Sequence, residues 1–383
     1  MARYATSRRT QRQTREETAI STCTNPRSAL PPAGRVLVIR LGAVGDVVRT
    51  LPAARALRDA YPDAHLAWLV EPASASVLAG QPWLDDVRIF PRGLLREALG
   101  RGRVDRAGRE AWAFVRALRA ARYDLVLDFH AILKSGLLSR STGAAMRVTY
   151  APPFAREGAH HFATQRARLS PPKQSRFERN EALVRYLGVE APLPSTPLRV
   201  DRAAREAARA AMGGEDVVAM HPGTSDSTAH KRWNAGGYAA VARALHVRTG
   251  LPSVVTVGPA RNDRSFAESI VAAAGGSARV APATPSLLDL AAVFAASRLY
   301  IGSDTGPMHV ASLVGTPVVQ LLGPTDPVEN RPFPGTPSET VRVQIACNPC
   351  RRGCAAAACM HAIAPGDVVD AAISLLAAPG AGW

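Results

Sequence analysis

An aspartate follows a glycine-rich turn in the stretch LGAVGDVVRT, residues 41–50, directly after the apolar run RVLVIR. Gly42 and Gly45 permit a sharp turn, and a helix that begins there presents backbone N–H groups without partners. Asp46 could cap that helix, or it could act as a general base that takes a proton from an attacking hydroxyl. The residue types alone leave both roles open.

The same turn lacks the full glycine pattern of a dinucleotide-binding site. That pattern is G-x-G-x-x-G, whereas these residues supply only G-x-x-G. Glu71 does end the second predicted strand, where an acidic residue would bind a ribose. The turn therefore disfavours a dinucleotide-dependent oxidoreductase without excluding it.

The loop HPGTSDSTAHKRW, residues 221–233, carries groups that suit a diphosphate. The hydroxyls of Thr224 and Ser225 can donate hydrogen bonds to phosphate oxygens. Lys231 can neutralise the charge that develops as a bond to phosphate breaks. A polar surface loop without a ligand is the alternative, since such residues are common in loops.

A third loop, GSDTGPMHVASLVGTP at residues 302–317, follows the predicted strand LYIG. Asp304, Thr305 and Gly306 form its turn, and a helix with proline in its first turn follows. Asp304 could accept hydrogen bonds from sugar hydroxyls or cap that helix, while the free N–H groups favour an anion. His309 lies in the first turn, where it suits a structural role as well as a catalytic one.

Two further turns after strands could contact the same ligand. Asp263 in GPARNDRSFAE could accept hydrogen bonds from a ribose or cap the next helix, and Thr325 in GPTDP could reach the phosphates or belong to a simple turn. No D-x-D triplet occurs in the chain, so lysine and backbone N–H groups would have to neutralise a leaving diphosphate. No metal ion is therefore expected at the reacting diphosphate, and no cofactor is expected.

Three basic residues of the first half could bind an anionic second substrate. Lys134 and Arg140 follow the predicted strand DLVLDF. Arg156 lies in the irregular segment at residues 151–176, which has the character of a functional loop or lid. Each of them could equally be a solvated charge, because the chain has 47 basic residues.

Four cysteines are clustered in CNPCRRGCAAAAC near the end of the sequence, and Cys23 stands alone. Cys347, Cys350, Cys354 and Cys359 have spacings at which zinc or an iron–sulfur cluster could bind. A compact loop with free thiols is the alternative. A disulfide framework is not expected in a cytoplasmic protein.

The segments that carry these residues alternate between strand and helix patterns. The predicted strands are RVLVIR, HLAWLV, DVRIF and DLVLDF, followed in the second half by DVVAM, PSVVTV, LYIG and PVVQLL. The helices predicted in the second half span 202–212, 235–248, 264–274, 286–296 and 307–314. Such alternation indicates an α/β protein with parallel sheets covered by helices.

A proline-rich connector, EAPLPSTPLRV, interrupts the alternation once. We therefore predict two doubly wound Rossmann-like domains, at residues 35–190 and 201–383, with a linker at 191–200. Residues 1–34 are basic, lack apolar periodicity and are predicted to be a disordered tail. Because ligands bind beyond the carboxyl ends of such strands, the two domains are expected to face a central cleft.

The chain has 47 basic and 31 acidic residues, which give a net charge of +16. Such a charge indicates an anionic partner: nucleic acid, an acidic membrane surface or a phosphorylated substrate. No apolar run reaches the roughly 18 residues of a membrane span, and the first residues lack the apolar core of a signal peptide. A cytoplasmic protein is therefore expected.

Five stretches together resemble the ADP-heptose:lipopolysaccharide heptosyltransferases. They are RLGAVGDVVRTLPAARALRDAYPDAHLAWLVE, RYDLVLDFHAILKSGLLSR, HPGTSDSTAHKRW, SDTGPMHVASLVGTPVVQLLGPTDP and CNPCRRGCAAAACM, in this order. The first two are most similar to the heptosyltransferase I branch. The resemblance implies a GT-B fold, with an N-terminal acceptor domain and a C-terminal nucleotide-sugar domain.

The resemblance also implies a reaction and a set of site residues. The family transfers heptose from ADP-heptose, with inversion, to the anionic Kdo–lipid A core at the inner face of the inner membrane. A monomer that associates peripherally with this membrane is expected. Asp46 would be the base, and Gly45, Lys134, Arg140 and Arg156 would lie on the acceptor side. Donor contacts would come from Thr224, Ser225, Lys231, Asp263, Asp304, Thr305, Gly306 and His309.

Other functions compete with this transfer reaction. A nucleotide-sugar epimerase of the same two-domain plan would need no acceptor, so product that forms only when an acceptor lipid is supplied would exclude it. A nucleic-acid-binding protein is disfavoured because the arginines are spread along the chain and aromatic residues make up only 5% of it. A glycosyltransferase with another donor or acceptor remains open.

Overall fold

The computed structural model describes residues 22–23, 25–27, 29–79, 81–171, 173–189, 198–350 and 353–378. They form two compact units that meet in sequence at Leu198. This position falls within the stretch predicted as a linker, of which residues 191–197 lie outside the described residues. Each unit contains one six-stranded parallel sheet with helices, so the predicted doubly wound α/β class is confirmed.

The N-terminal unit begins with a short strand and continues as alternating strands and helices. Its strands are β1 (Thr22–Cys23), β2 (Arg35–Ile39), β3 (His65–Val70), β4 (Asp86–Ile89), β5 (Leu125–Asp128), β6 (Met146–Tyr150), β7 (Gln165–Ala167) and β8 (Leu169–Ser170). Its helices are α1 (Val44–Val48), α2 (Leu51–Ala60), α3 (Pro72–Ala75), α4 (Arg92–Gly100), α5 (Val104–Ala120), α6 (Leu133–Ser141) and α7 (Arg176–Tyr186), with a 3₁₀ helix at Ala159–Phe162.

Six of these strands form a parallel sheet in the order β4–β3–β2–β5–β6–β7. β2 is central because it is almost wholly apolar: Val38 is buried and lies opposite Trp68 of β3 and Leu127 of β5. The chain leaves β2 toward one edge of the sheet and β5 toward the other. A ligand is therefore expected to bind in the crevice beyond the carboxyl ends of β2 and β5.

The residues VVRTLPAARALRDAY, which follow β2, have a helical pattern, but the structure divides them between two helices. α1 ends at Val48 and α2 begins at Leu51, with Pro52 as the second residue of α2. Proline lacks the N–H group that would continue α1, but it is well accommodated in the first turn of a new helix. The division leaves α1 as a short helix that carries Asp46.

Part of the predicted N-terminal tail is folded onto this unit. β1 pairs antiparallel with β8. The side chain of Asn25 exchanges hydrogen bonds with the backbone of Arg166 at 3.1 Å and of Arg168 at 3.0 Å. The prediction of disorder is therefore wrong for these residues, because pairing with β8 satisfies backbone groups that no apolar pattern reveals. Residues 1–21, 24 and 28 of the predicted tail lie outside the described residues.

The segment predicted as an irregular loop or lid contains an edge strand. β7 pairs in parallel with β6 and completes the sheet. Its sequence, QRA, has no apolar run because one side of an edge strand faces solvent. Within the predicted lid, residues 151–158 are irregular and precede the 3₁₀ helix, and the described residues between β8 and α7 are irregular as well.

The C-terminal unit repeats the same plan. Its strands are β9 (Val218–His221), β10 (Ser253–Val255), β11 (Ala278–Val280), β12 (Leu299–Ser303), β13 (Val318–Leu321) and β14 (Ser338–Val341). Its helices are α8 (Arg202–Ala211), α9 (Ala235–Thr249), α10 (Asp263–Ala273), α11 (Leu287–Ala295), α12 (Gly306–Leu313), α13 (Ala358–His361) and α14 (Pro365–Ala377), with a 3₁₀ helix at Asp226–Lys231. The predicted helices of this half are all present, each within one residue at both ends.

The strands of the C-terminal unit form a parallel sheet in the order β11–β10–β9–β12–β13–β14. Met220 in β9 is fully buried and lies opposite Val255 of β10 and Ile301 of β12. The strand order matches that of the N-terminal sheet position by position. The second crevice therefore lies beyond the carboxyl ends of β9 and β12.

Candidate active site

The crevice of the N-terminal sheet is bordered by the residues that follow β2 and β5. Asp46 lies in α1, just after β2, and His130 follows β5. The backbone N–H of Leu41 donates a hydrogen bond to His130 Nδ1 at 3.3 Å, which joins the two loops. Asp46 and the loop after β5 therefore share one edge of the sheet.

Three guanidinium groups surround the Asp46 carboxylate. Arg40 donates to Oδ2 at 2.6 Å, while Arg49 at 2.6 Å and Arg176 at 2.7 Å donate to Oδ1. The side chain of Asp46 is still 18% exposed. The N-cap of α1 is Ala43, and no side-chain hydrogen bond caps this helix within the described residues. The capping role of Asp46 is therefore wrong, whereas its role as a base stays a prediction.

The charges of this cluster fix the ionisation of Asp46. Burial acts to raise its pKa, but the guanidinium groups of Arg40, Arg49 and Arg176 outweigh burial and hold the pKa well below its ordinary value. Asp46 is thus ionised near neutral pH. It is also a weak base for as long as all three guanidinium groups contact it.

These three arginines are not among the site residues predicted from the sequence. A signal existed for Arg49, because it lies three residues after Asp46 and so on the same face of a helix. Arg40 is the last residue of the run RVLVIR, and the sequence indicated for it only a position at the end of a strand. Arg176 lies 130 residues from Asp46 in sequence, so only the tertiary fold brings the two together.

Lys134 lies at the carboxyl edge of the N-terminal sheet, in the first turn of α6, where it forms an ion pair with an acidic residue. Its Nζ donates to Glu71 Oε1 at 2.5 Å, and Arg92 donates to Glu71 Oε2 at 2.7 Å. Burial acts to raise the pKa of Glu71, but these two cations lower it below its ordinary value. Glu71, considered above as a ribose ligand, thus serves as the counter-ion of Lys134.

Arg156 and Arg140 lie in different places. The backbone N–H of Arg156 donates a hydrogen bond to Ala131 O at 2.9 Å, which places the backbone of Arg156 next to the loop after β5. The side chain of Arg156 is exposed. Arg140 lies in the last turn of α6, which runs away from the carboxyl edge of the sheet. The residues from Lys134 to Arg140 span about 9 Å of helix. The acceptor-binding prediction for Arg140 is corrected for this reason, since α6 carries Arg140 away from Asp46.

A buried carboxylate shapes the loop between β5 and α6. Asp128 Oδ1 accepts hydrogen bonds from the backbone N–H groups of His130 at 2.9 Å and Ala131 at 3.0 Å. Its Oδ2 accepts from Ser135 Oγ at 2.8 Å. Burial raises the pKa of Asp128 to about 6, although these hydrogen bonds act in the opposite direction. The loop that presents Lys134 is therefore held by a group that titrates near pH 6.

Replacing Asp128 with asparagine is expected to stabilise the protein at neutral pH. Because the folded-state pKa of about 6 lies above the ordinary value of 3.8, the wild-type protein loses about 3 kcal/mol of stability as the pH rises from about 4 to above 6. Asparagine keeps both backbone contacts through Oδ1 and does not ionise. The free energy of unfolding in urea should therefore favour Asp128→Asn by a margin that grows over this pH interval. A margin independent of pH would contradict the assignment of this titration to Asp128.

In the C-terminal unit, the loop after β9 contains three predicted donor-binding residues, namely Thr224, Ser225 and Lys231. The turn after β12 contains Asp304, and β12 is the direct neighbour of β9 in the sheet. Trp233, which is 1% exposed, anchors the end of the first loop in the core. The topology therefore brings the two loops to one edge of the sheet.

Asp304 is the centre of a hydrogen-bonded group. Lys231 Nζ donates to Asp304 Oδ2 at 2.9 Å and to its backbone oxygen at 3.2 Å, and Thr325 Oγ1 donates to Oδ2 at 2.8 Å. His309 Nε2 lies 3.6 Å from Oδ1. Four residues predicted from three separate loops are thus brought together. Asp304 is only 5% exposed and positions Lys231, while its direct contact with a donor sugar stays a prediction.

Some donor groups of these loops lack a side-chain partner within the described residues. Thr224 is 4% exposed, and its Oγ1 has no hydrogen-bond partner within the described residues. α12 begins at Gly306 after Thr305, and no side chain in the described part of the chain caps it. Ser225 is exposed, and its hydroxyl is 2.8 Å from that of Thr228. A free hydroxyl and an uncapped helix N-terminus favour an anion such as a phosphate.

Asp263 is enclosed by the C-terminal unit itself. It is 3% exposed, and its carboxylate accepts hydrogen bonds from Arg232 at 3.1 Å and from the backbone N–H of Ala260 at 3.2 Å. The N-cap of α10 is Asn262. The capping alternative for Asp263 is therefore wrong. Its contact with a ribose stays a prediction and would require Arg232 to share the carboxylate.

The clustered cysteines are free thiols. Cys347 and Cys354 are exposed, whereas Cys359 is buried. Among the described residues, no group of three or more His, Cys, Asp or Glu side chains is arranged to hold a metal ion. In the same part of the chain, none of the helices combines the length and the apolar character of a membrane span.

Residues 111–361 match the sequence model of glycosyltransferase family 9 (heptosyltransferase). The chain belongs to glycosyltransferase family 9. The matched residues include Lys134 and the whole hydrogen-bonded group around Asp304, whereas Asp46 precedes them. The protein is therefore a glycosyltransferase, which favours the predicted transfer reaction over the epimerase alternative.

Relatives of the family 9 protein cover most of its length. The lipopolysaccharide core heptosyltransferase OpsX of Haemophilus influenzae is 24% identical over 306 residues, which are 77% of this chain and 81% of that protein. Lipopolysaccharide heptosyltransferase 1 of Pseudomonas aeruginosa is 29% identical over 293 residues, which are 76% and 79% of the two chains.

Solved structures of the family share its fold. A family 9 glycosyl transferase from Veillonella parvula superposes with a TM-score of 0.69 at 22% identity and covers 92% of this chain and 99% of its own. Escherichia coli heptosyltransferase WaaC with ADP gives a TM-score of 0.65 at 22% identity, with 80% and 93% of the two chains covered. The predicted GT-B fold is therefore confirmed.

Proposed function

We propose that the protein is a lipopolysaccharide core heptosyltransferase that moves heptose from ADP-heptose to Kdo–lipid A, with inversion and without a metal ion. Membership of family 9 and relatives named lipopolysaccharide heptosyltransferases support this proposal. E. coli WaaC has been solved with ADP and with ADP-2-deoxy-2-fluoro heptose, which supports the choice of donor. One observation carries the chemistry: an ionised carboxylate lies at the crevice of one sheet, and a lysine beside an uncapped helix lies at that of the other.

The C-terminal unit holds the diphosphate of the donor in this proposal. The N–H groups at the start of α12 and the hydroxyl of Thr224 donate to phosphate oxygens. Lys231, already positioned by Asp304, contacts the oxygen that leaves the anomeric carbon. The charge that develops on this oxygen as the bond breaks is thereby neutralised without a metal ion.

Asp46 of the N-terminal unit supplies the base. Its carboxylate takes the proton of the acceptor hydroxyl, whose oxygen forms a bond to the anomeric carbon as the bond to the diphosphate breaks. A single displacement of this kind inverts the configuration at that carbon. The ADP product carries away the electron pair of the broken bond, and the proton stays on Asp46 until solvent removes it.

The arginines around Asp46 recognise the acceptor. Kdo carries a carboxylate, which suits the planar fork of a guanidinium group. Arg176 is 33% exposed, compared with 13% for Arg40 and 9% for Arg49, so it is the arginine best placed to turn toward an incoming anion. Its departure from Asp46 would raise the pKa of the base at the moment when the acceptor hydroxyl arrives.

The site of action follows from the acceptor. We propose that the enzyme works in the cytoplasm, as a monomer at the inner face of the inner membrane, because Kdo–lipid A is an anionic glycolipid. The net charge of +16 supports attraction to such a surface.

Incubation of the purified protein with ADP-heptose and Kdo–lipid A is expected to yield a lipid heavier by one heptose, together with ADP. Mass spectrometry of the lipid and coupled detection of ADP measure the two products. ADP-glucose and lipid A without Kdo serve as controls for the donor and the acceptor. A chelator should leave the rate unchanged. Conversion of the donor without any acceptor would contradict the proposal and favour an epimerase or a hydrolase.

Replacing Arg176 with glutamine is expected to raise the KM for the acceptor by about 10-fold or more, because a hydrogen bond between charged groups is worth about 1.5–3 kcal/mol. It should also move the acid limb of the pH profile of kcat/KM upward. Asp46 has a depressed pKa and is active when ionised, so activity is lost as the pH falls through that pKa. Without Arg176 the pKa is higher, and the loss begins at a higher pH.

A matched control lies on the same helix. Arg185 pairs with Glu181 at 2.7 Å within α7, so Arg185→Gln removes an equal charge without a contact to Asp46. An equal effect of both variants on KM and on the acid limb would contradict a specific role of Arg176.

A further inference from the structure

A cavity of about 500 Å³ opens between α5 and α6 in the N-terminal unit. Arg119, Arg140 and Arg147 line it, together with Val115, Leu137 and Ser141. Arg119 and Arg140 lie in the last turns of their helices, and Arg147 lies at the start of β6. The cavity therefore faces the amino edge of the sheet and is separate from the crevice that contains Asp46.

The three arginines of this cavity have no acidic partner within the described residues. Arg119 and Arg140 are exposed. Arg147 donates to two neutral carbonyl oxygens, that of Phe162 at 2.9 Å and that of Ala144 at 2.5 Å. Burial, and then the charge of Arg140, lower the pKa of Arg147. Such mutual repulsion is relieved when an anion binds between the guanidinium groups.

Exposed apolar side chains continue from the cavity along the same two helices. Trp112 is 61% exposed, Leu137 is 49% exposed and Leu133 is 43% exposed. Trp112 precedes Arg119 by two helical turns, and Leu133 precedes Arg140 by the same interval, so each pair shares a helix face. A surface with arginines at one end and tryptophan and leucine beside them suits the boundary between lipid headgroups and acyl chains.

We propose that this α5–α6 face binds a phosphate of an anionic lipid headgroup and thereby docks the N-terminal unit onto a bilayer. The forks of Arg119, Arg140 and Arg147 bind the phosphate. Trp112 and Leu137 enter the interface, where tryptophan is favoured. A free phosphate ion would use the arginines but would leave the apolar side chains in water. The purpose of this docking rests on the proposed function, because the glycolipid acceptor lies in the same membrane. The binding of lipid itself does not depend on that function.

Sedimentation of the full chain with lipid vesicles tests this docking. Wild-type protein is expected to bind vesicles of phosphatidylcholine mixed with phosphatidylglycerol and to bind phosphatidylcholine vesicles only weakly. Arg119→Gln/Arg140→Gln should weaken binding to the anionic vesicles about 25-fold, since each basic residue near such a surface contributes about fivefold. Both side chains are exposed, so thermal unfolding should be unchanged.

A matched variant separates the α5–α6 face from overall charge. Arg202 and Arg205 are exposed on α8 of the C-terminal unit, and Arg202→Gln/Arg205→Gln removes the same charge. This variant should sediment like the wild type, and Trp112→Ala should weaken vesicle binding without any change of charge. An equal loss in both arginine variants would overturn the proposal.

Titration calorimetry with inorganic phosphate tests the alternative that the arginines bind a free phosphate ion instead of a lipid phosphate. Weak binding of this ion, together with a loss of vesicle binding in Trp112→Ala, supports the lipid. Tight binding of inorganic phosphate that needs Arg119 and Arg140, with vesicle binding untouched by Trp112→Ala, would overturn the docking proposal. Sedimentation does not depend on turnover, so its failure leaves the proposed transfer reaction standing, and failure of the transfer assay leaves the docking result standing.

Discussion

Replacing Asp46 with asparagine is expected to lower kcat for heptose transfer by about 10²–10⁴-fold, the usual contribution of a general base. The amide cannot accept the proton of the acceptor hydroxyl, although it keeps the shape of the carboxylate and can still accept hydrogen bonds from arginine. The KM for ADP-heptose should change little, because the proposed donor contacts lie in the C-terminal unit. Steady-state kinetics with a saturating acceptor separates the two constants.

The fold of the Asp46→Asn variant needs its own control, because three guanidinium groups lose their counter-ion. Thermal unfolding of the variant reports this loss of stability. Asp59 pairs with Arg55 at 3.0 Å on the surface of the same unit, so Asp59→Asn removes a carboxylate away from the crevice and should keep full kcat. If Asp46→Asn also kept full kcat, the carboxylate would serve only to hold its arginines.

Replacing Lys231 with alanine is expected to weaken ADP binding by about 10- to 100-fold, which corresponds to the loss of a charge-assisted hydrogen bond. It should also lower kcat by about 10²–10³-fold, because the charge on the leaving diphosphate is no longer neutralised. Titration calorimetry with ADP measures the first effect, and steady-state kinetics measures the second.

Two controls accompany the Lys231→Ala variant. Lys173 is exposed in the N-terminal unit, so Lys173→Ala removes the same charge and should leave the affinity for ADP unchanged. Lys231→Arg keeps the charge but replaces a compact ammonium with a planar fork, so it should recover only part of the activity. Equal affinity of wild type and Lys231→Ala for ADP would remove Lys231 from the donor site.

The central strands of both sheets were predictable from the sequence because their short apolar runs are typical of buried strands. β3 and β12 are buried over nearly all of their residues, and their boundaries were recovered to within one residue. β6, with the sequence MRVTY, and β14, with SETV, were missed because polar residues interrupt their pattern. Their strand conformation is stabilised by pairing with β5 and β13 and not by an apolar run of their own.

The candidate site was predictable where a residue lies in the segment between a central strand and the next long helix. Asp46, Lys231 and Asp304 were found in this way, because parallel strands collect their carboxyl ends at one edge. Arg140 was misplaced because its distance along α6 was not considered. Arg176 could not be found at all, since nothing in the sequence links it to a residue 130 positions away. The ion pairs of Asp46 with Arg40 and Arg176, and that of Asp304 with Lys231, likewise depend on tertiary structure.

The identical strand order of the two sheets has a consequence for how such enzymes diversify. Each half has its own core. In each half, the side chains proposed to bind its substrate follow the same two strand positions of the sheet. On the proposed assignment of donor and acceptor to the two halves, substitutions in one half act on one substrate alone, and well-separated changes are close to additive. Natural selection can alter the sugar that is transferred and the molecule that receives it one at a time, on a scaffold that never has to be rebuilt.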